Sequence, residues 1–382
     1  MNKHQICTRC VMDTSDPEII FDNEGICNHC KKAINKLKLP PYGLSSVEKE
    51  EALNKLIKEI KYYGKNNKYD CVIGLSGGVD SSYLALLVKK WGLKPIVVHL
   101  DNHWNSEFAE HNISNIINKL EFEEIRVKVN WEEFKDLQLA FLNASTPDSE
   151  IPSDNGINAL LWDTAKKYKI KYILAGTNTS SESILPRAFS QGHVDKIYIK
   201  SLHKQFGKLK KLSFHILSSW EMFNNSRFKK IKYVSALDYI DYDKEKAKSI
   251  IKKELNWREY GRKHGESTYT RIIQEYILPV KFGFDKRKAH FSSLIAAEQM
   301  TREEALSELA KPLYPDKESI QRDIDLLCGK FEITNDEFDR IMSLPVKSMD
   351  DYPNESKSIR YKLFKLLRSV YKGIKGIFKK AN

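Results

Sequence analysis

The spacing of apolar positions changes several times along this chain, and each change marks an element. Residues 71–75 form a short apolar run with β-branched members. Residues 95–100 (PIVVHL) and 172–175 repeat that run, and residues 124–129 and 231–237 are weaker versions. Runs of this length suit parallel strands covered on both faces. Between them the period lengthens to that of helices. Leu53, Leu56, Ile57 and Ile60 share one side of 46–62, and helical spacing returns over 83–91, 112–120, 131–142, 158–168 and 244–255. Strands alternating with helices predict an α/β fold with a doubly wound parallel sheet. Helical spacing dominates 257–309, where Thr301 and Glu304 make a capping box ahead of 305–310. Residues 190–230 have no clear period. Their alternation of bases and aromatics (HKQFGKLKKLSFH) reads as a solvated helical face, with a substrate lid or partner surface also open.

These changes divide the 382 residues into a cysteine-bearing segment (1–35), a linker and packing helix (36–65), the α/β domain (66–245), a helical region (246–350) and a basic tail (351–382). No N-terminal apolar segment resembles a signal peptide and no apolar run is long enough to span a membrane, so the cytoplasm is the simplest expectation. The net charge of +12 is unevenly placed: residues 357–382 hold nine Lys or Arg and no Asp or Glu, which leaves +3 for the rest. A near-neutral body argues against nucleic acid as the partner. The tail places Ile359, Leu363, Leu366, Val370, Ile374 and Ile377 on one helical face among its bases. That pattern predicts either peripheral contact with an anionic membrane or a helix packed on a protein.

Candidate chemistry concentrates in DCVIGLSGGVDSSYLALL, residues 70–87. A buried strand, a two-glycine turn and a helix opened by Asp80, Ser81 and Ser82 together make a cradle for phosphate. The glycines let an anion approach the main chain, and the free N–H groups of a helix start favour it. The pattern is neither the Walker loop nor the dinucleotide fingerprint. SGGVDSS instead resembles the pyrophosphate loop of the N-type ATP pyrophosphatases. That resemblance implies that Ser76, Gly77, Gly78, Ser81 and Ser82 surround the β- and γ-phosphates of ATP, with cleavage to AMP and pyrophosphate. Asp80 would hold Mg2+, which prefers carboxylate and phosphate oxygens. Asp101, at the end of the second strand, is a candidate adenosine contact. By the same resemblance Gly176, Thr177 and Asn178 help enclose the nucleotide, with Glu182 just beyond them. Asp154 sits near the reacting groups or caps the helix that follows, and Glu182 is a metal ligand or an exposed loop carboxylate.

Cys7 and Cys10 form one C-x-x-C, and Cys27 and Cys30 form another sixteen residues later. This spacing matches a four-thiolate zinc ribbon with a closed, structural Zn2+. An iron–sulfur centre, two disulfides or unligated thiols are the alternatives.

The CxxC pairs, SGGVDSS, AGTN, DYIDY, YGRKHGES, FDKRKAHFSSLI and QMTREEAL together resemble the N-acetyl sugar amidotransferases of bacterial surface-polysaccharide biosynthesis, from about residue 6 to 344. The resemblance implies an ATP-dependent conversion of an acetamido group on a nucleotide-activated sugar to an acetamidino group. Ammonia would come from a separate glutaminase with a barrel-shaped synthase partner. Lys286, Arg287 and His290 in FDKRKAH are the candidates for the sugar-nucleotide side, with Lys286 and His290 also catalytic. A solvated basic turn is the plainer reading of that segment. Two cysteines lie outside the pairs, Cys71 within a strand and Cys328 in a late helix. Neither has an evident histidine partner for glutaminase chemistry. A tRNA-modifying, thiolating adenylase of the same superfamily is the rival enzyme reading, and a non-catalytic nucleotide-binding scaffold is the other.

Overall fold

A computed structural model of the chain describes residues 4–190, 192–260, 265–358 and 361. Its centre is a parallel sheet of five strands: β1 (Cys71–Gly74), β2 (Pro95–Asp101), β3 (Glu123–Lys128), β4 (Tyr172–Ala175) and β5 (Lys232–Ser235), in the order β3-β2-β1-β4-β5. Ile73 of β1 lies opposite Val97 on one side and Leu174 on the other. The three inner strands are buried on both faces, as their unbroken apolar runs require, whereas β3 and β5 carry exposed polar residues at the edges.

One face of the sheet is covered by Val79–Lys90 and Glu107–Leu120, whose Leu84, Val88, Ile113 and Ile116 are buried there. Helix Lys244–Leu255 adds Ala247, Ile251 and Leu255 to the same core. On the other face Ile151–Lys167 sets Ala159, Trp162 and Ala165 against Val72, Ile96 and Ile173. The chain leaves β1 and β4 towards opposite faces, so the crevice at their carboxyl ends is the topological switch point.

Two helices start earlier than their apolar spacing shows. Ser106 accepts a bond from the Ala109 amide and caps Glu107–Leu120, and Pro152 opens Ile151–Lys167. Their first turns face loops at the strand ends and therefore lack an apolar stripe. Residues 190–230 contain two capped helices, Lys196–Phe206 and Ser219–Arg227. Tyr198, Ile199 and Leu202 of the first bury against Leu137 and Phe141 of Trp131–Ala144. β5 stops at Ser235, because residues 236–239 coil into a short turn that brings Asp238 under the β4 loop.

The cysteine ribbon and the C-terminal helices share one further core. Met12 and Ala33 pack with Tyr269, Ile272, Phe331 and Phe338. The Arg302 guanidinium donates to the carbonyls of Cys7 and Cys10, and Lys288 pairs with Asp13. Trp104, just past β2, joins this core to the sheet through ring contacts with Tyr269 at 5.1 Å and Phe331 at 5.4 Å. Among the described residues no helix is long and apolar enough to cross a membrane. The tail beyond residue 361, with its amphipathic pattern, lies outside the described residues.

Candidate active site and cysteine centre

The turn after β1 is held from behind. The Gly77 carbonyl accepts from the Trp257 indole at 2.8 Å and from the Asn112 amide at 3.3 Å. This fixes the peptide between Gly77 and Gly78 and directs its N–H to Ser76 Oγ, 3.3 Å away. Ser81 Oγ lies 3.1 Å from Ser76 Oγ and bonds the Gly78 carbonyl. Gly77 has φ +78°, and a Cβ there would lie 2.8 Å from the Ala109 carbonyl oxygen. Helix Val79–Lys90 begins at Gly78, which has no side chain to cap it, and the Tyr260 hydroxyl meets the Val79 amide. Ser82 Oγ is buried with no hydrogen-bond partner among the described residues. This donor set fits a triphosphate.

Asp80 follows at the second helical position and accepts from the Tyr242 hydroxyl. Burial and the Asp80 carboxylate push the Tyr242 phenol far up, which keeps it a donor. Above Gly78 stand Tyr260 Oη and Glu266 Oε1, 3.4 and 3.6 Å from where a Cβ would be. Burial and the Glu266 carboxylate likewise raise the Tyr260 phenol. Residues 261–264, within YGRKHGES, lie outside the described residues.

The β4 loop meets this cradle directly. A Cβ on Gly176 would lie 3.0–3.1 Å from the Asp80 carbonyl group and the Ser81 nitrogen, so a side chain there would push the loop and the cradle apart by a few tenths of an ångström. Thr177 Oγ1 is 3.0 Å from Ser235 Oγ. Asn178 caps the short helix Thr179–Glu182 by accepting from Ser181 N and Oγ at 2.9 Å, and Asp238 accepts from both N and Oγ1 of Thr179. Glu182 is exposed at the end of that turn. Burial, with the Glu182 carboxylate, raises the phenol of Tyr233. Asp154 stands in the first turn of helix Ile151–Lys167, at the carboxyl end of the strands. Asp101 accepts from the His103 amide at 3.0 Å, and Asn102 bonds Ser153, next to Asp154, at 3.1 Å.

Asp154 and His193 are half-buried members of a charged network whose other groups lie deeper. His193 Nδ1 is 3.1 Å from Asp154, and its Nε2 is 3.2 Å from Asp148. Ser190 Oγ bonds Asp148 at 2.8 Å and lies 2.6 Å from His193 Nε2. Lys286 reaches Glu150 at 3.0 Å, and Gln274 donates to the same oxygen at 2.8 Å. Burial lifts the Asp154 carboxyl to about 7, against the pull of His193 and with help from Glu150 and Asp148. Burial opposes charge on His193, yet the bond and charge of Asp148, with Asp154, raise it to about 9. Burial also opposes charge on Lys286, but Glu150, Asp148 and Asp154 outweigh it and hold the ammonium protonated.

Of the FDKRKAH cations, Lys286 points into this network. His290 Nδ1 lies 3.2 Å from the Ser181 carbonyl, so it fastens the β4 turn to helix Lys286–Ala296. All of the Arg287 guanidinium's N–H groups are engaged within the protein, by Asp285 and by the carbonyls of Glu308, Leu309 and Lys311 at the end of helix Arg302–Ala310. Sequence reasoning missed Asp148, Glu150, His193, Tyr242, Tyr260 and Glu266. DYIDY and YGRKHGES flagged the region of three of them. Nothing in the spacing of the others marked them, because residues far apart in sequence make the network.

The ribbon sulfurs converge. Cys7 and Cys30 are 3.9 Å apart, Cys10 and Cys27 3.7 Å, and all four lie within 4.8 Å of one another. A tetrahedron with Zn–S bonds of about 2.3 Å has edges of about 3.8 Å. Disulfides need sulfurs at about 2.05 Å, and all four thiols are free. Amides of Cys10, Met12, Cys27 and Cys30 point at the sulfurs from 3.2–3.4 Å, as suits thiolates. The set fits a closed zinc site.

Residues 266–368 match the family described as LPS biosynthesis protein WbpG-like, C-terminal domain. A curated relative, tRNA-specific 2-thiouridylase MnmA 2 of Fusobacterium nucleatum subsp. nucleatum, is 33% identical over 147 residues. That match covers 35% of this chain and 38% of the relative, so the chain spans well under half the length of the protein it matches. Among solved structures, NMN synthetase from Francisella tularensis is 17% identical, with 58% of this chain and 90% of that one covered at a TM-score of 0.26. NH3-dependent NAD synthetase from Campylobacter jejuni subsp. jejuni, in complex with the nitrate ion, is 16% identical, with 70% and 99% covered at a TM-score of 0.30. The WbpG-like match covers 103 of the 382 residues, so the similarity to proteins of LPS biosynthesis is one of the C-terminal region.

Proposed function

We propose that the protein is an ATP-dependent amidotransferase that converts an acetamido group of a nucleotide-activated sugar to an acetamidino group during LPS O-antigen synthesis. One observation carries this reading. The crevice at the carboxyl ends of β1 and β4 joins a glycine cradle to a charged network, and the LPS-type domain contributes Lys286 to that network. An acetamido oxygen is a poor leaving group. Transfer of the α-phosphoryl of ATP to it, with loss of pyrophosphate, makes a group that ammonia can displace as AMP. The cradle of Ser76, Gly77, Gly78, Ser81 and Ser82 would bind the departing pyrophosphate. Lys286 would face the charge of the adenylated sugar. Mg2+, held by Asp80 with Glu182, would neutralise phosphate charge. Zinc at Cys7, Cys10, Cys27 and Cys30 would be structural. Ammonia would arrive from a partner glutaminase and its barrel-type synthase subunit.

The test is AMP and pyrophosphate release from ATP, ammonium chloride and a panel of UDP- and CMP-linked acetamido sugars, with mass spectrometry of the product. Release of ADP and orthophosphate instead would refute it. The MnmA-type match favours a second reading, tRNA thiolation. Sulfur transfer needs an accessible thiol. Cys71 is fully buried in β1 with its thiol pushed far up, and Cys328 is buried with its thiol also raised. Sulfur incorporation into copurified tRNA would establish that second reading.

A further inference from the structure

We propose that Asp148 and His193 are positioning residues that hold Asp154 as the carboxylate receiving the proton of the incoming ammonia. The inference rests on the amidotransferase reading and deepens it. Asp148 is buried behind the imidazole, whereas 39% of the Asp154 side chain is accessible at the crevice. His193 bridges the two at 3.2 and 3.1 Å, so each ring nitrogen is aimed by a carboxylate. An imidazolium paired with both carboxylates favours the ionised form of Asp154. Ser190 ties the Asp148 end of the arrangement in place. Lys286 is anchored on Glu150 beside it, so the network keeps its own cation from closing onto Asp154. At the strand ends Asn102 bonds Ser153, the residue before Asp154, at 3.1 Å.

The step balances as follows. The nitrogen lone pair of ammonia forms a bond to the carbon of the adenylated imidate, which still carries the acetamido N–H proton and a positive charge, and the C=N π pair moves to the sugar nitrogen and neutralises it. The new ammonio group gives one proton to the Asp154 carboxylate. Its freed lone pair then forms the amidinium C=N bond, and the C–O pair leaves with AMP. General-base help of this kind is worth about 10²–10⁴-fold. Asp154 is suited to it because burial holds its acid near neutrality. The charged groups facing it are His193, Glu150, Asp148 and Lys286, with the phenol of Tyr233.

The experiment compares the whole protein with H193Q and D148N. Two reactions are read: exchange of labelled pyrophosphate into ATP with the sugar nucleotide, which needs no ammonia, and product formation with ammonium chloride as the varied substrate. We expect the ratio of product formation to exchange to fall about 10²-fold in H193Q. The acid limb of kcat/KM for ammonium should also move to higher pH, because loss of the imidazolium removes the charge that lowers Asp154. D148N should lower the ratio by less, since it removes both a partner of the imidazolium and a carboxylate that itself raises Asp154. A wild-type ratio and limb in both variants would overturn the proposal, as would a parallel fall in exchange and product formation. Wild-type protein that releases no AMP with any sugar would instead refute the parent reading. D148N, nearly isosteric, keeps the test valid if H193Q does not fold.

Discussion

A Gly77→Ala substitution separates two costs that the phosphate turn imposes on its backbone. Gly77 has φ +78°, where a side chain costs about 1–2 kcal/mol. Its Cβ would also lie 2.8 Å from the Ala109 carbonyl oxygen and 3.1 Å from Ala109 Cα, both backbone atoms of a packed helix. Overpacking of that kind adds about 1–3 kcal/mol. Restricting the unfolded chain returns about 0.4–1 kcal/mol, so the net loss should be roughly 1–4.5 kcal/mol. Two other glycines calibrate the sum. Gly283 has φ +75° with nothing within 4 Å of its Cβ position, so Gly283→Ala isolates the backbone term at about 1 kcal/mol. Gly329 lies in helix Lys317–Phe331 with open space around it and no positive φ, so Gly329→Ala should stabilise by about 0.5–1 kcal/mol. The assay is urea unfolding of the zinc-loaded protein by tryptophan fluorescence, compared at equal m-value. If Gly77→Ala unfolds within about 0.5 kcal/mol of Gly283→Ala, contact with Ala109 does not constrain the turn and the reasoning fails.

Four further outcomes follow from the same geometry. Metal analysis should find one zinc per chain, lost with loosening of the ribbon in Cys27→Ser; iron with acid-labile sulfide would contradict the sulfur geometry. Asp80→Asn should abolish AMP formation while zinc content and the urea midpoint stay near wild type, since Asp80 lies at the crevice and not in a core. Arg287→Ala should cost about 2 kcal/mol through lost charged bonds and a freed Asp285, with little change in the KM for sugar nucleotide; a large KM rise with unchanged stability would return Arg287 to the substrate side. His193 has its folded pKa raised from the usual 6.5 to about 9, so its contribution is complete below 6.5 and disappears as pH rises through 9. Wild type should therefore exceed H193Q in stability at pH 6 and converge with it above pH 9, as read by thermal unfolding across that range.

Much of this was legible because local chemistry forced it. The strand of residues 71–75 has to be buried, two glycines have to turn, and a C-x-x-C aims both its sulfurs at one point. A parallel sheet follows once strands alternate with helices, although its strand order does not. Arg287 shows where such reasoning ran out. A basic cluster in sequence reads as a ligand surface, but the helix rotates neighbouring cations about 100° apart. Lys286 thus turns to Glu150, Arg287 to a helix end, Lys288 to the ribbon and His290 to the β4 turn. One segment serves four contacts, and only one of them belongs to the charged network. His193 was illegible for the opposite reason: its partners lie 39 and 45 residues earlier, in a stretch whose polar character looked like loop.

That helix also ties the C-terminal helices to the sheet domain. Lys286–Ala296 supplies Ser293, whose hydroxyl accepts from the Ile184 amide at 2.9 Å, and His290, which bonds the Ser181 carbonyl, so it braces the β4 loop from outside. The same helix receives the Val11 amide of the ribbon on Ser292 at 3.2 Å. Zinc would thereby hold the ribbon, the ribbon would hold the helix, and the helix would hold the loop whose Gly176 touches Asp80. A metal with no open coordination position can in this way govern catalysis through rigidity alone. Removing it with a chelator should lower pyrophosphate exchange before the central sheet unfolds, and readdition of zinc should restore it. Full exchange activity in zinc-free protein would show that the brace on the β4 loop does not depend on the ribbon.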